Sequence, residues 1–217
     1  IYARHGVEGP CFGVSYANLG KLTKRLKNER SAELISQLWE AENHDARILA
    51  TKLVHADILS PELVDRWAGE VTSPVLAGEL GVAIGRSGWD LATDTVERWL
   101  EADPATHPRV AISGWCLLAA LSGEGNDLDE EWLADFLPRI ESDIQEAPDQ
   151  VRHAMNNALI AIGSRSVALR RKAEASAKRI GKVEVDHGET SCKTPDAIAY
   201  LAKVWDHRNR KGARRRC

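Results

Sequence analysis

The chain has 217 residues, of which 43% are hydrophobic and 28% charged, and its formal net charge is −3. This composition predicts a folded globular protein and excludes intrinsic disorder. No apolar run reaches the roughly 18 residues that a membrane span needs, and the start of the chain lacks the apolar core of a signal peptide. We therefore expect a cytoplasmic protein with no membrane contact. The cysteines Cys11, Cys116, Cys192 and Cys217 are far apart, which favours reduced thiols, with disulfides or a metal site as the alternatives.

Positive charge is concentrated in two places, although the net charge is negative. One cluster lies near the N-terminus and the other in a basic tail that we assign to residues 205–217. A local cationic face can bind nucleic acid even on an acidic protein, whereas a solvated, disordered end is the alternative for the tail. The clusters consist of Lys21, Lys24, Arg25, Lys27 and Arg30, and of Arg208, Arg210, Lys211, Arg214, Arg215 and Arg216.

Four tryptophans recur in amphipathic segments at intervals of 28, 32 and 33 residues. In each segment the apolar residues stand three and four apart, which predicts a helix with one buried stripe. Capping residues at the starts are Ser31, Ser60 with Pro61, Asp90 and Asp127. We interpret the tryptophans as core anchors. The segments are ELISQLW with Trp39, PELVDRW with Trp67, DTVERW with Trp99 and DEEW with Trp132.

Between these segments lie apolar stretches rich in Ala and Gly, which predict helices packed closely on two sides. Three of them carry an arginine near the start: Arg47, Arg109 and Arg152. An outer Trp-bearing helix thus alternates with an inner Arg-headed helix, and pairs recurring at roughly 30–45 residues are typical of a HEAT-like solenoid. No run shows the strict alternation of a strand. We predict an all-α, HEAT-like single domain over residues 1–217, with an irregular helical part at 1–30.

The inner helices of a curved array line its concave surface, where arginines and helix N-termini suit phosphate groups. The alternative is that each of these arginines pairs with an acid of the neighbouring repeat. The residues alone leave both interpretations open.

Several segments occur in a recognisable order over nearly the whole chain: GVSYANLGKLTKRL, HDARILATKLV, the GWD element, PRVAISGW, and VRHAMNNALIAIGS followed by GKVEVDHGETSCKTPDA. Together they resemble the DNA alkylation repair family, whose best-known branch is the AlkD-type DNA glycosylases. The resemblance implies a HEAT-like helical fold that binds double-stranded DNA on its concave face. In the active branch it also implies hydrolytic release of N3- or N7-alkylated purines without base flipping. No cofactor is expected.

Departure of a cationic alkylpurine builds positive charge on the sugar, which a carboxylate and aromatic faces stabilise. Trp89 matches the first tryptophan of the family's W-D-x-x-D pattern and Asp90 the next position, so both are the predicted catalytic residues. The catalytic aspartate of the pattern falls on Thr93, and the second tryptophan falls on Asn157. Asp94 is a poor substitute, because on a helix it lies about 140° around from Trp89.

The resemblance assigns the phosphate-holding role to Arg109. We group it with Arg47, Arg152, Asn157 and Lys193 as the predicted DNA-binding residues, in a chain expected to act as a monomer. The missing acid and aromatic leave two interpretations: an alkylpurine DNA glycosylase with a modified site, or a HEAT-repeat nucleic-acid-binding or protein-interaction scaffold that has lost the catalytic acid. Whether the chain is an enzyme therefore stays open.

Residues 181–197 form a second unusual stretch. It contains four side chains that can ligate metal, ahead of a helix that starts with Thr-Pro-Asp. We interpret it as a structured loop between the last two helices, with a binding or catalytic loop and a metal site as alternatives. The four side chains are those of Asp186, His187, Glu189 and Cys192.

Overall fold

The structure, a computed structural model, describes residues 2–123 and 125–214, with side chains through residue 210. Of the predicted basic tail and cysteines, Arg215, Arg216 and Cys217 lie outside the described residues, as do the side chains of Lys211 and Arg214. The helices are α1 Tyr16–Leu26, α2 Ala32–Glu40, α3 His44–Leu53, α4 Pro61–Glu70, α5 Pro74–Arg86, α6 Ala92–Leu100, α7 Pro108–Leu121, α8 Glu130–Ala134, α9 Phe136–Asp143, α10 Asp149–Arg165, α11 Val167–Ile180 and α12 Ala197–Arg214, with short 3₁₀ helices at Tyr2–His5 and Ala56–Ile58.

The predicted alternation of helices is confirmed, and no strand occurs in the part of the chain that the structure describes. The tryptophan segments lie in α2, α4, α6 and α8, and the Ala- and Gly-rich segments form α3, α5, α7 and α10. Among the described helices, none combines the length and the apolar composition of a membrane span.

Two of the four predicted caps are confirmed. Ser31 and Ser60 each accept a hydrogen bond from a backbone N–H three residues on, at 3.1 and 3.2 Å. Asp90 is not a cap, because a turn delays the start of α6 and its N-cap is Leu91, which makes no side-chain cap bond. The prediction of Asp127 as an N-cap is also wrong, since Asp129 caps α8 instead.

Contacts among the described residues separate the chain into two compact units. The first holds the residues up to Leu118 together with Gly188–Thr190, and the second holds Ala119–His187 and the described residues from Ser191 onward. Each unit has its own buried side chains.

In the first unit, one layer of helices is joined through tryptophans, and we call α2, α4 and α6 the tryptophan layer. The Trp39 and Trp67 rings stack with their centroids 4.5 Å apart, and both are buried. The indole of Trp99 donates to Asp65 of α4 at 2.8 Å. The prediction of tryptophan core anchors is therefore confirmed for these three.

The second layer of this unit consists of α1, α3, α5 and α7, packed in that order. At its α5–α7 contact, the Ser113 hydroxyl donates to the carbonyl of Ala77 at 3.1 Å. A Cβ atom at Gly81 would lie 2.2 Å from the carbonyl oxygen of Ser113, so only glycine allows the two backbones to approach this closely.

The first 15 residues are fastened to the start of α3 by one buried carboxylate. Asp45 accepts hydrogen bonds from the Tyr2 hydroxyl at 2.7 Å and from the backbone N–H groups of Phe12 and Gly13 at 2.6 and 2.9 Å. The predicted irregular part at 1–30 thus consists of a 3₁₀ turn, an extended stretch and helix α1.

Helix α10 is the centre of the second unit and packs against α9, α11 and α12. Residues 205–214 of the predicted tail continue α12 as helix, which corrects the disordered alternative for this part. The physical reason is Trp205, whose indole donates to the carbonyl of Gly163 at 3.1 Å and lies under the Arg170 and Arg208 guanidinium groups.

Candidate functional site

Arg47 is buried inside the first unit, with 6% of its surface exposed. Its Nε donates to the carbonyl of Trp39 at 3.0 Å and its Nη1 to the carbonyl of Glu70 at 2.8 Å. These carbonyls stand at the C-terminal ends of α2 and α4, where that of Trp39 also accepts from the backbone N–H of Glu42 at 3.3 Å. Arg47 therefore ties two helix ends together, and its position does not suit the predicted contact with DNA.

Arg152 has the same role in the second unit. Its side chain donates to the carbonyls of Ile144, Gln145 and Ala147 at 3.0–3.1 Å, and to that of Glu184 at 2.6 Å. These bonds join the end of α9 to the segment after α11. Both arginines thus pair within the fold, as the alternative interpretation expects, but chiefly with carbonyls rather than acids.

Arg109 differs from both. It is exposed, and no described residue forms a hydrogen bond or ion pair with its guanidinium. Arg47 and Arg152 are the fourth residues of their helices, whereas Arg109 is the second residue of α7. Arg109 thus stands two residues, or about 200° of helix rotation, from the position in α7 that corresponds to Arg47 and Arg152 in their helices, and unlike them it is exposed.

The predicted catalytic pair lies in the turn between α5 and α6. Trp89 is half-buried, and its backbone N–H donates to the Ser87 hydroxyl at 3.2 Å. Asp90 is exposed in the same turn. Thr93 occupies the position of the missing acid, and its hydroxyl lies 3.4 Å from a carboxylate oxygen of Asp94. Asp94 is exposed, as Asp90 is. The turn and the start of α6 thus carry a half-buried indole and two exposed carboxylates, without a carboxylate at residue 93.

Asn157 belongs to a chain of hydrogen bonds in the second unit. Its amide nitrogen lies 3.0 Å from His153 Nε2, and His153 Nδ1 lies 2.9 Å from the Thr194 hydroxyl. His187 Nε2 lies 2.9 Å from the same hydroxyl. Burial lowers the pKa of His153, and His187 lowers it further. Sequence reasoning missed His153, although its four-residue spacing from Asn157 places both on one helix face.

Lys193 lies beside this chain on an open cavity of about 640 Å³ that His187 and Thr194 also line. It is exposed, and its ammonium group has no partner among the described residues. The metal alternative finds no support, since no three His, Cys, Asp or Glu side chains within the described ranges are placed to hold an ion. Glu189 instead belongs to the first unit, 3.9 Å from Arg4.

The cations of the N-terminal cluster are all exposed, and none of them forms an ion pair with a described acid. Helix α1, with the sequence YANLGKLTKRL, contains no Asp or Glu. Elsewhere in the unit Lys52 is paired with Glu79 at 3.0 Å and Arg98 with Asp65 at 3.0 Å. The first unit thus has uncompensated positive charge on α1 and at Arg109.

Known proteins resemble this chain over most of its length. The family described as DNA alkylation repair enzyme matches residues 1–201. Two uncharacterized proteins, Lin0241 of Listeria innocua serovar 6a and Lmo0209 of Listeria monocytogenes serovar 1/2a, are each 29% identical over 206 residues, which is 94% of this chain and 88% of each relative.

One solved structure is similar over 95% of this chain and 86% of its own, with 25% identity and a TM-score of 0.82. It is described as a new family of proteins related to the HEAT-like repeat DNA glycosylases, with affinity for branched DNA structures. This likeness confirms the predicted HEAT-like repeat fold.

Proposed function

Because the chain belongs to the DNA alkylation repair enzyme family, we propose that it binds double-stranded DNA as a monomer, through exposed cations of its first unit. The observation that carries this proposal is the lack of acidic partners for Arg109 and for the N-terminal cluster. Most other cations with described side chains on the same unit are held by a carboxylate or by helix-end carbonyls.

Three cations of the N-terminal cluster and Arg109 lie on helices of one layer. Lys21, Lys24 and Arg25 belong to α1 and Arg109 to α7. Phosphate contacts by such side chains release counterions and give most of the affinity of nonspecific DNA binding. The affinity of the similar solved protein for branched DNA structures supports a duplex or branched duplex as the ligand.

The test is the salt dependence of binding to labelled DNA, measured by fluorescence anisotropy with a duplex, a four-way junction and a single strand. Each phosphate contact that is lost lowers the slope of log K against log salt by about one, so Arg109→Ala should lower it by that amount. Replacing Lys24 and Arg25 together by alanine should lower it by about two.

The matched control is Arg66→Ala. Arg66 is also an exposed arginine of the first unit, but it lies on α4 in the tryptophan layer. We expect the slope of this variant to equal that of the wild type. An equal decrease of the slope of log K against log salt in Arg66→Ala and Arg109→Ala would contradict the proposed surface. Absence of binding at low salt would overturn the proposal and leave the protein-interaction scaffold.

A second candidate function is excision of N3- or N7-alkylated purines at the exposed turn with Trp89 and Asp90. The observation that favours it is the adjacent indole and carboxylate, which suit a developing cation. The assay is release of free 7-methylguanine or 3-methyladenine from treated duplex DNA. Release that is unchanged in both Trp89→Ala and Asp90→Asn would exclude this turn as the site.

A further inference from the structure

His153, Thr194 and His187 form a directed hydrogen-bonded chain that lies outside the proposed DNA surface of the first unit. The amide nitrogen of Asn157 can only donate, so His153 Nε2 must accept and the proton of His153 sits on Nδ1. That N–H donates to the Thr194 oxygen, which leaves the threonine proton to donate to His187 Nε2. The donor on Asn157 thus fixes the direction of every bond in the chain.

This arrangement can hold one added proton but not two. When His187 is protonated at Nε2, both imidazoles donate to the Thr194 oxygen, whose two lone pairs accept them. A second proton would have to occupy His153 Nε2, opposite the amide N–H of Asn157. The two ring centroids are also only 5.0 Å apart, so two imidazolium charges would repel each other. The added proton therefore goes to His187, consistent with the lowered pKa of His153.

The charges around the neighbouring cavity are balanced as long as His187 is neutral. Of the lining side chains, Arg152 lies 3.8 Å from Asp149, and Lys182 lies 2.5 Å from Glu184. The remaining charged groups of the lining, Asp186 and Lys193, are opposite in sign. One proton on His187 therefore makes the lining net positive.

The other elements packed on α10 do not change this balance. Lys178 of α11 and Asp196, just before α12, both line an adjoining cavity of about 520 Å³, and their charges are opposite. The end of α9 approaches this region through the carbonyl of Ile144, which Arg152 already holds.

We propose that the 640 Å³ cavity beside His187, Thr194 and Lys193 binds a phosphate group, and that the His153–Thr194–His187 chain takes up one proton when it does so. The cavity supplies the Thr194 hydroxyl and the Lys193 ammonium as donors, and the protonated His187 adds a positive charge, all of which suit a phosphate group. Because the site becomes net positive only with the proton, phosphate binding and protonation must favour each other. Where the phosphate belongs to DNA, the inference rests on the proposed function.

The test is calorimetric titration at neutral pH in buffers of different ionisation heat, which gives the number of protons taken up on binding. One arm uses the labelled duplex and the other uses inorganic phosphate. The wild type should take up close to one proton, and its log K should fall with pH by up to about one per unit. His187→Gln should take up close to none while keeping a partner for the Thr194 hydroxyl. Lys193→Ala should bind about tenfold more weakly and keep the proton uptake, because it loses only the ammonium.

His207→Gln is the matched control, since His207 is an exposed histidine of α12 in the same unit and should keep the uptake. A circular dichroism melt identifies variants that fail to fold, and Thr194→Ser then serves as a second variant, which should keep the proton uptake because it keeps the hydroxyl.

Three outcomes separate this inference from the proposed function. If the duplex binds and the proton uptake is equal in the wild type and His187→Gln, this inference is overturned and the proposed function stands. Proton-linked binding of inorganic phosphate without duplex binding would support the inference and overturn the proposed function. Binding in neither arm would overturn both.

Discussion

The guanidinium of Arg47 donates to the carbonyl of Glu70 at 2.8 Å and thereby satisfies the C-terminal end of α4. The same side chain satisfies the end of α2 through Trp39. A single charged donor thus joins two successive outer helices from its place on α3. Arg152 repeats this device in the second unit, at the end of α9. Repeat packing in this chain therefore depends on arginines as well as on apolar contact.

Replacing Arg47 by methionine should lower the free energy of unfolding by about 2–3 kcal/mol, because two carbonyls lose a charged donor in a buried setting. The measurement is urea unfolding followed by circular dichroism. Arg109→Met is the control, since its exposed guanidinium has no described partner, and its unfolding free energy should change by no more than about 0.5 kcal/mol. Equal losses in the two variants would contradict the assignment of separate roles.

The contrast between these arginines shows what the sequence can and cannot predict. Amphipathic periodicity is local, so the spacing of Trp39, Trp67 and Trp99 was sufficient to predict the helix pairs. Whether an arginine faces a neighbouring helix or solvent depends on its angular position relative to the buried side of its helix. Helix boundaries are the least certain part of a sequence-based prediction, and a shift of two residues reverses the side chain's direction.

The histidine chain was beyond local reasoning for another reason. His153 and Thr194 are 41 residues apart in the sequence, and no periodic pattern connects them. Their contact follows from how the segment after α11 folds back onto α10, which depends in part on the buried side chain of Asn156 donating to the carbonyl of Pro195 at 3.0 Å. Sequence reasoning identified the segment as unusual but could not supply its partners.

Gly81→Ala should destabilise the first unit by about 1–3 kcal/mol, because the added methyl group would meet the backbone of α7 at Ser113 and Leu117. Gly78→Ala is a matched control on the same helix. Its added Cβ would lie 3.6 Å from Cys116 Sγ, an ordinary contact, so the better helix propensity of alanine should stabilise it by about 0.5–1 kcal/mol. Thermal unfolding of both variants is the measurement, and opposite signs are the expected result.

His44 should make the protein less stable in mild acid. It is buried with neither ring nitrogen bonded to a described residue, and burial lowers its pKa despite the opposing charge of Asp45. The unfolded chain therefore binds a proton more readily than the folded one. The stability that neutral His44 contributes is fully present above about pH 6.5 and is lost as the pH falls from there toward the folded pKa.

The measurement is the urea midpoint as a function of pH for the wild type and His44→Phe. The variant keeps an aromatic ring against Tyr2, whose ring centroid lies 5.2 Å away, but it has no titrating group. Its stability should fall less below about pH 6.5. Some pH dependence should remain, because burial also lowers the pKa of His153. The control is His207→Gln, which replaces an exposed histidine and should give the same curve of urea midpoint against pH as the wild type. A His44→Phe curve identical to that of the wild type would contradict the prediction.

If the turn at Trp89 retains part of an excision site, Thr93→Asp should raise the rate of 7-methylguanine release from duplex DNA. Thr93 lies in the first turn of α6, where the helix dipole favours a carboxylate, so the substitution should be tolerated by the fold. A carboxylate there would stabilise charge developing on the sugar and should increase release by about tenfold or more. Thr93→Asn has the same shape without the charge and should show no gain. The gain should also disappear when Trp89→Ala is added, and a gain that survives this change would place the reaction at another site.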